Sequence, residues 1–196
     1  EPIEALSLAA VAMTIEQAVI GFALGLAFHL VMSVVFILGY TVSSQMGLAM
    51  AVMNDPMNGS SSDVVSTILY MLSILVFFAI DGHLVISGVL GASFQAWPVG
   101  SGLHLLALQN IAFSVAWAFA AAMLLATPVV FSTLVVQFGF GFLNRVAPSF
   151  NLFSLGFALV TTFGLFMLTQ LVRFLPQHYI RMTNQILDML NHGFGR

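Results

Sequence analysis

The chain has 196 residues, of which 60% are hydrophobic and only 6% charged. Because so few polar residues cannot cover a soluble domain, we expect a membrane protein or a subunit of an equally apolar assembly. A net charge of -3 without any lysine excludes an electrostatic surface for nucleic acid, and the absence of cysteine excludes disulfides and thiol chemistry.

The chain starts with Glu-Pro-Ile-Glu, which has no basic segment ahead of an apolar run, so we do not expect a signal peptide there. Since the first residue is not Met, we expect the chain to be part of a longer natural product. Charges and breakers predict helices over residues 15–49, 64–96, 103–138 and 152–172 in one all-α domain, 1–196. Pro128 is expected to kink the third helix.

Residues 17–54 contain no charged side chain. A helix over this whole segment would be about 57 Å long, whereas the hydrocarbon core is about 30 Å thick. The helix must therefore bend or leave the bilayer within other protein. Small residues at four-residue spacing, Gly21 with Gly25 and Gly39 with Ser43 and Gly47, predict close helix contacts, although glycine is also common in membrane helices generally.

Four methionines mark the end of the first apolar segment. At three- or four-residue spacing on a continuing helix they would share a face, and their thioether chains adapt to changing surfaces. They are either core filler or a soft rim beside a breaker-rich loop that could seal a pore and yield. The candidate constriction comprises Met46, Met50, Met53, Asn54, Asp55, Pro56, Met57, Asn58 and Gly59.

Two polar breaks lie between apolar segments. Asp81, Gly82 and His83 form either a helix-breaking interfacial turn, which we favour, or a proton relay in a transporter. Arg145 belongs to a second break that either connects two helices at the interface or projects into a lumen. This second group consists of Asn144, Arg145, Ala147, Pro148 and Asn151.

The histidines have neither HExxH spacing nor a carboxylate cluster, so we predict no metal site and no cofactor. No nucleophile elbow, P-loop or dinucleotide motif is present, and we expect no enzyme activity. Residues 179–192 have one apolar and one polar face, which predicts a separate amphipathic helix suited to an interface or a partner.

Three segments in order, QMGLAMAVMNDP, DGHLVISGVLGASFQAWPVG and FGFGFLNRVAPSFN, resemble the FliR family of flagellar export proteins. The most specific of these is Leu-Asn-Arg-x-Ala-Pro followed by Asn151 and Phe153. The resemblance implies a single-copy subunit of the type III export gate, assembled with FliP, FliQ and FlhB into a closed helical channel complex. It also implies a plug over residues 50–66 across the path of unfolded export substrates.

The resemblance implies a location in the bacterial inner membrane and the flagellar basal body, with much of the chain above the bilayer plane. Three alternatives stay open. One is the related injectisome subunit, and another is a secondary transporter that couples Asp81, His83 and Arg145. The third is a structural nucleus that positions its neighbours through small-residue faces. Arginines after the last apolar segment favour a cytoplasmic C-terminal end.

Overall fold

Five helices build the chain in a computed structural model that describes residues 7–48, 63–100, 102, 105–146 and 152–194. They are α1 (Leu8–Gln45), α2 (Val64–Ala79), α3 (Gly82–Ala96), α4 (Leu105–Val146) and α5 (Leu152–Phe194). Within these ranges there is no strand, which confirms the all-α prediction.

The central helix is α1, which packs against α2, α4 and α5, while α3 packs mainly against α2. Most of the largest fully buried apolar side chains come from α1 and from Met46, which directly follows it. They include Val34, Val35, Leu38, Val42 and Met46, joined by Leu69 of α2. Burial of this α1 face supplies the main apolar contact that holds the bundle together.

Three helices, α1, α4 and α5, are long and apolar enough to cross a membrane. At about 1.5 Å per residue, even the 38 residues of α1 span about 57 Å, well above a hydrocarbon thickness of about 30 Å. Large side chains on the outside are also apolar, with Phe22 72%, Leu124 73% and Phe142 70% exposed. This surface needs lipid or other protein to cover it.

The predicted interruption at Asp-Gly-His is present. Asp81 adopts a left-handed backbone, with φ of 55°, and α2 and α3 are bent by 69° around it. The two helices are apolar enough together to form a fourth, broken span. Gly82 begins α3 against the ring of Phe77, where a side chain would not fit.

The prediction that the first helix continues to residue 49 is wrong. Gly47 has φ of 76°, Gly47 N–H donates to Ser44 O and Leu48 N–H donates to Ser43 O, both at 3.1 Å. These two bonds form the glycine motif that commonly ends a helix, so α1 stops at Gln45. Met46 is therefore followed by a turn, and Met50, Met53 and Met57 lie outside the described residues.

Two further boundaries differ from prediction. Helix α4 continues through Gly139 and Gly141 to Val146, eight residues beyond the predicted end at residue 138. Helix α5 runs through Pro176, although proline has no N–H to donate to the carbonyl of Val172. Burial of Leu175 and Tyr179 on either side of Pro176 holds this helix in place.

Residues 179–192 are consequently not a separate helix but the last turns of α5. Their apolar face packs inside the chain, where Tyr179, Met182, Ile186 and Leu190 are buried. The hydroxyl of Tyr179 lies 3.7 Å from the sulfur of Met32 on α1. The partner of this amphipathic face is the chain's own bundle.

Candidate functional site at the end of the central helix

Ser43 lies in the last turn of α1 and contacts both ends of the segment that leads to α2. Its carbonyl accepts the N–H of Leu48 at 3.1 Å, and its hydroxyl donates to Oδ1 of Asp63. Residues 49–62 connect Leu48 to Asp63. A single fully buried serine therefore ties down both ends of this segment.

Asp63 is 4% exposed and caps the start of α2. Its Oδ2 accepts the backbone N–H of Ser66 at 2.8 Å and the Ser66 hydroxyl at 2.7 Å. A buried carboxylate is costly unless its oxygens are hydrogen-bonded, and here both accept such bonds. Gly39 allows this approach, because a Cβ there would lie 2.5 Å from Cα of Ser66.

The carbonyls that α1 leaves free at its C-terminal end are bound by α4 and α5. Thr161 of α5 donates to Met46 O at 3.0 Å, and Gln137 Nε2 of α4 donates to Gln45 O at 3.2 Å. The side chain of Met46 is fully buried against Gly164, and Gly47 faces the ring of Phe157. All four helices other than α3 thus meet at this end of the bundle.

An open pocket of about 400 Å³ lies between α1, α4 and α5 at this same end. Three amide side chains line it, those of Gln45, Gln137 and Asn144, together with Gly47 and Gly141. We call it the amide pocket. It brings the beginning of the predicted constriction next to the beginning of the Leu-Asn-Arg motif.

The predicted residues of the constriction and of the Leu-Asn-Arg motif fall into three groups. Met46 of the constriction and Asn144 of the motif meet at the amide pocket, which the predicted packing glycine Gly47 also lines. Arg145 is exposed in the last turn of α4, where a cation stabilises the negative end of the helix dipole. The remaining candidates, Met50, Met53, Asn54, Asp55, Pro56, Met57, Asn58, Gly59, Ala147, Pro148 and Asn151, lie outside the described residues.

The polar break lies elsewhere. Asp81 is at the far end of α2 from Asp63, so the 16 residues of α2 separate them by about 24 Å. His83 is exposed beside Phe78, with ring centroids 5.6 Å apart. Since Arg145 follows Asn144 at the amide pocket, the three residues of the transporter hypothesis do not come together.

The four predicted packing glycines differ in what surrounds them in the bundle. Gly39 and Gly47 face α2 and α5 directly, whereas a Cβ on Gly21 or Gly25 would meet no atom within 4 Å. The described part of the chain therefore contains no helix packed on the Gly21 and Gly25 positions. Contact at these two glycines stays a prediction about another molecule.

Our sequence reasoning missed Asp63, Thr161 and Gln137. Asp63 could have been found, because an aspartate directly before an apolar helical run is a common N-cap. Thr161 and Gln137 carry no such local signal. Among the described residues no group of three or more histidines and carboxylates is close enough to hold a metal ion.

The fold and this site define an all-helical protein of the polytopic membrane type, whose long helices meet at one end of the bundle. Residues 1–186 match the model of the family described as "Bacterial export proteins, family 1", and the chain belongs to this family. The resemblance found in the sequence is thereby confirmed.

Several relatives are similar over nearly the whole chain. The flagellar biosynthetic protein FliR of Pectobacterium carotovorum subsp. carotovorum is 32% identical over 185 residues, covering 94% of this chain and 71% of that protein. FliR of Escherichia coli K12 is 28% identical over 179 residues, covering 91% and 69% respectively. The surface presentation of antigens protein SpaR of Salmonella typhimurium is 27% identical over 195 residues, covering 97% and 73%.

Proposed function

We propose that the chain is a subunit of the flagellar type III export gate, through which unfolded flagellar proteins leave the cell. Membership of the bacterial export family and similarity to FliR carry this proposal. The gate does not itself catalyse a reaction. Its work is to exclude water and ions at rest and to admit an extended polypeptide.

Residues 50–62 of the predicted plug segment act as the plug of this gate, with Met50 and Met53 as its apolar rim. Residues 64–66 begin α2, and the Met46 side chain is fully buried against Gly164. The double attachment at Ser43 supports this assignment, because it fixes where residues 49–62 leave and rejoin the bundle.

FliP, FliQ and FlhB are the proposed partners, together with membrane lipid and the passing substrate. The exposed apolar side chains on α1, α4 and α5 support this view, since contact of so much apolar surface with water is unfavourable. Helices of this length also support a position in the inner membrane within the basal body, with part of the chain above the bilayer. Gly21 and Gly25 are proposed helix-packing positions toward these partners.

The plug is tested in the assembled gate by deleting residues 54–59 and measuring ion conductance across the membrane. We expect conductance to rise, because the constriction loses its covering segment while Ser43 and Asp63 still hold the ends. The control replaces the same six residues by glycine and serine, which keeps the length and removes Met57 and Pro56. Unchanged conductance in the deletion would exclude the plug assignment.

The related injectisome subunit is the second candidate, favoured by the match to SpaR over 97% of this chain. Complementation separates the two. A flagellar subunit restores motility to a strain that lacks FliR and does not restore injectisome secretion to a strain that lacks SpaR. A solute transporter finds less support, because Asp81 and Arg145 lie at separate places in the bundle.

A further inference from the structure

The amide pocket contains hydrogen-bonding groups that the described residues do not use. Gln137 Nε2 donates to Gln45 O, but the side-chain amides of Gln45 and Asn144 have no hydrogen-bond partner among the described residues. A side-chain amide offers both a donor and an acceptor. These are the same groups that a peptide bond presents, so amides and a main chain are complementary in both directions.

Three glycines, Gly47, Gly141 and Gly156, form the parts of the wall where a main chain could approach most closely. A Cβ on Gly141 would meet no atom within 4 Å, and one on Gly156 would meet only the ring of Phe140, at 3.9 Å. The space beside these two positions is therefore open. A volume of about 400 Å³ falls within the usual range of ligand pockets, about 300–1,000 Å³.

Among the described residues, those that line the pocket include no charged side chain. Phe140 and Phe157 supply apolar surface beside the amides, and Arg145 does not line the pocket although it follows Asn144. Neutral amides attract neither acidic nor basic side chains preferentially. Such a site recognises what all polypeptides share, the peptide group, rather than a particular sequence.

An extended polypeptide in an apolar passage lacks hydrogen-bond partners for its main chain. Its N–H and C=O groups are unpaired at every residue, and each costs free energy when removed from water without a partner. We propose that the amide pocket binds the main chain of the extended export substrate beside the gate constriction. This inference rests on the proposed export function and adds a substrate contact at Gln45, Gln137 and Asn144.

Photo-crosslinking in the assembled gate tests the contact directly. A photoreactive phenylalanine analogue replaces Phe140, which lines the pocket, or Phe138, which is exposed on the same helix and does not line it. The probe is an export substrate fused to a stably folded domain that halts it in transit. We expect the substrate to be crosslinked from Phe140 and several-fold less from Phe138.

Crosslinks from Phe140 to lipid or to another segment of this chain, with none to the halted substrate, would overturn the proposal. So would equal substrate yields from the two positions, because the contact would then not be specific to the pocket.

A second variant fills the pocket without disturbing the packed core. Gly141→Leu places a side chain in the open space of the pocket, and Gly139→Leu makes the same change two residues away, where a Cβ also meets nothing within 4 Å. Both are measured for co-purification of the gate subunits and for export. We expect both variants to assemble and Gly141→Leu alone to lose export several-fold.

The two proposals fail in different ways. If Gly141→Leu assembles and exports like Gly139→Leu, the substrate contact is wrong and the export function stands. If the unmodified chain assembles with the gate subunits but supports no export in a strain that lacks FliR, the export function itself is wrong.

Discussion

The hydroxyl of Ser43 donates a hydrogen bond to the buried carboxylate of Asp63, although 20 residues separate them in the sequence. This bond joins the last turn of the central helix to the first turn of α2. It also closes the segment that is proposed to plug the gate.

Ser43→Ala removes one donor from a carboxylate that is 4% exposed. A hydrogen bond to a charged group contributes about 1.5–3 kcal/mol, so we expect a lower thermal unfolding midpoint of the detergent-solubilised protein. Ser44→Ala is the matched control, because Ser44 is exposed and contributes only its backbone carbonyl to the turn. Equal midpoints for the two variants would show that the Ser43 bond does not contribute to stability.

Gly39→Ala and Gly25→Ala should differ in their effect on the stability of the isolated chain. The new Cβ at position 39 would lie 2.5 Å from Cα of Ser66, which forces α1 and α2 apart, whereas position 25 is open. We expect Gly39→Ala to destabilise the protein and Gly25→Ala to be neutral or to stabilise the helix by up to about 1 kcal/mol. Thermal unfolding in detergent measures both.

Gly21→Leu tests whether the open glycine positions face another subunit. The isolated chain should unfold at an unchanged temperature, since no described atom lies within 4 Å of the new Cβ. Co-purification of the other gate subunits should fall, because a large side chain prevents close helix approach. Normal assembly would remove Gly21 from the predicted contact surface.

Asp81→Gly should relieve backbone strain at the bend between α2 and α3. Asp81 has φ of 55° and its side chain makes no capping bond to α3. The left-handed conformation costs a non-glycine residue about 1–2 kcal/mol, so we expect a small rise in the unfolding midpoint. Asp81→Val, which places a β-branched residue at the same φ, should lower it. A lower unfolding midpoint for Asp81→Gly would mean that the Asp81 carboxylate stabilises the protein.

Thr161→Val removes the donor to the carbonyl of Met46 while keeping the shape of the side chain. We expect a loss of about 1 kcal/mol in stability and raised ion conductance of the assembled gate, because the rim beside the plug is less firmly held. Thr162→Val is the control, since the Thr162 hydroxyl bonds only within its own helix, to Ala158 O at 2.7 Å. Equal ion conductance of gates assembled with Thr161→Val and with Thr162→Val would exclude a role of Thr161 at the rim.

Composition and local sequence pattern were sufficient to predict several properties of the protein. The scarcity of charge predicted a helical membrane protein, and the Asp-Gly-His sequence predicted the bend after α2. The Leu-Asn-Arg segment, with two others, indicated the export family. These properties depend on hydrophobicity and on backbone preference over a few residues, and short stretches of sequence encode both.

Local sequence pattern did not predict where several helices end or which distant residues contact each other. The sequence did not show that α1 would stop at Gln45, that α5 would continue through Pro176, or that residues 179–192 would pack on the chain's own core. It also did not show that Thr161 would bind Met46, 115 residues away. The sequence by itself determined that these helices form and enter an apolar environment. Tertiary structure decided where they end and meet, because helix contacts depend on the shapes of side chains that are distant in sequence and brought together only by packing.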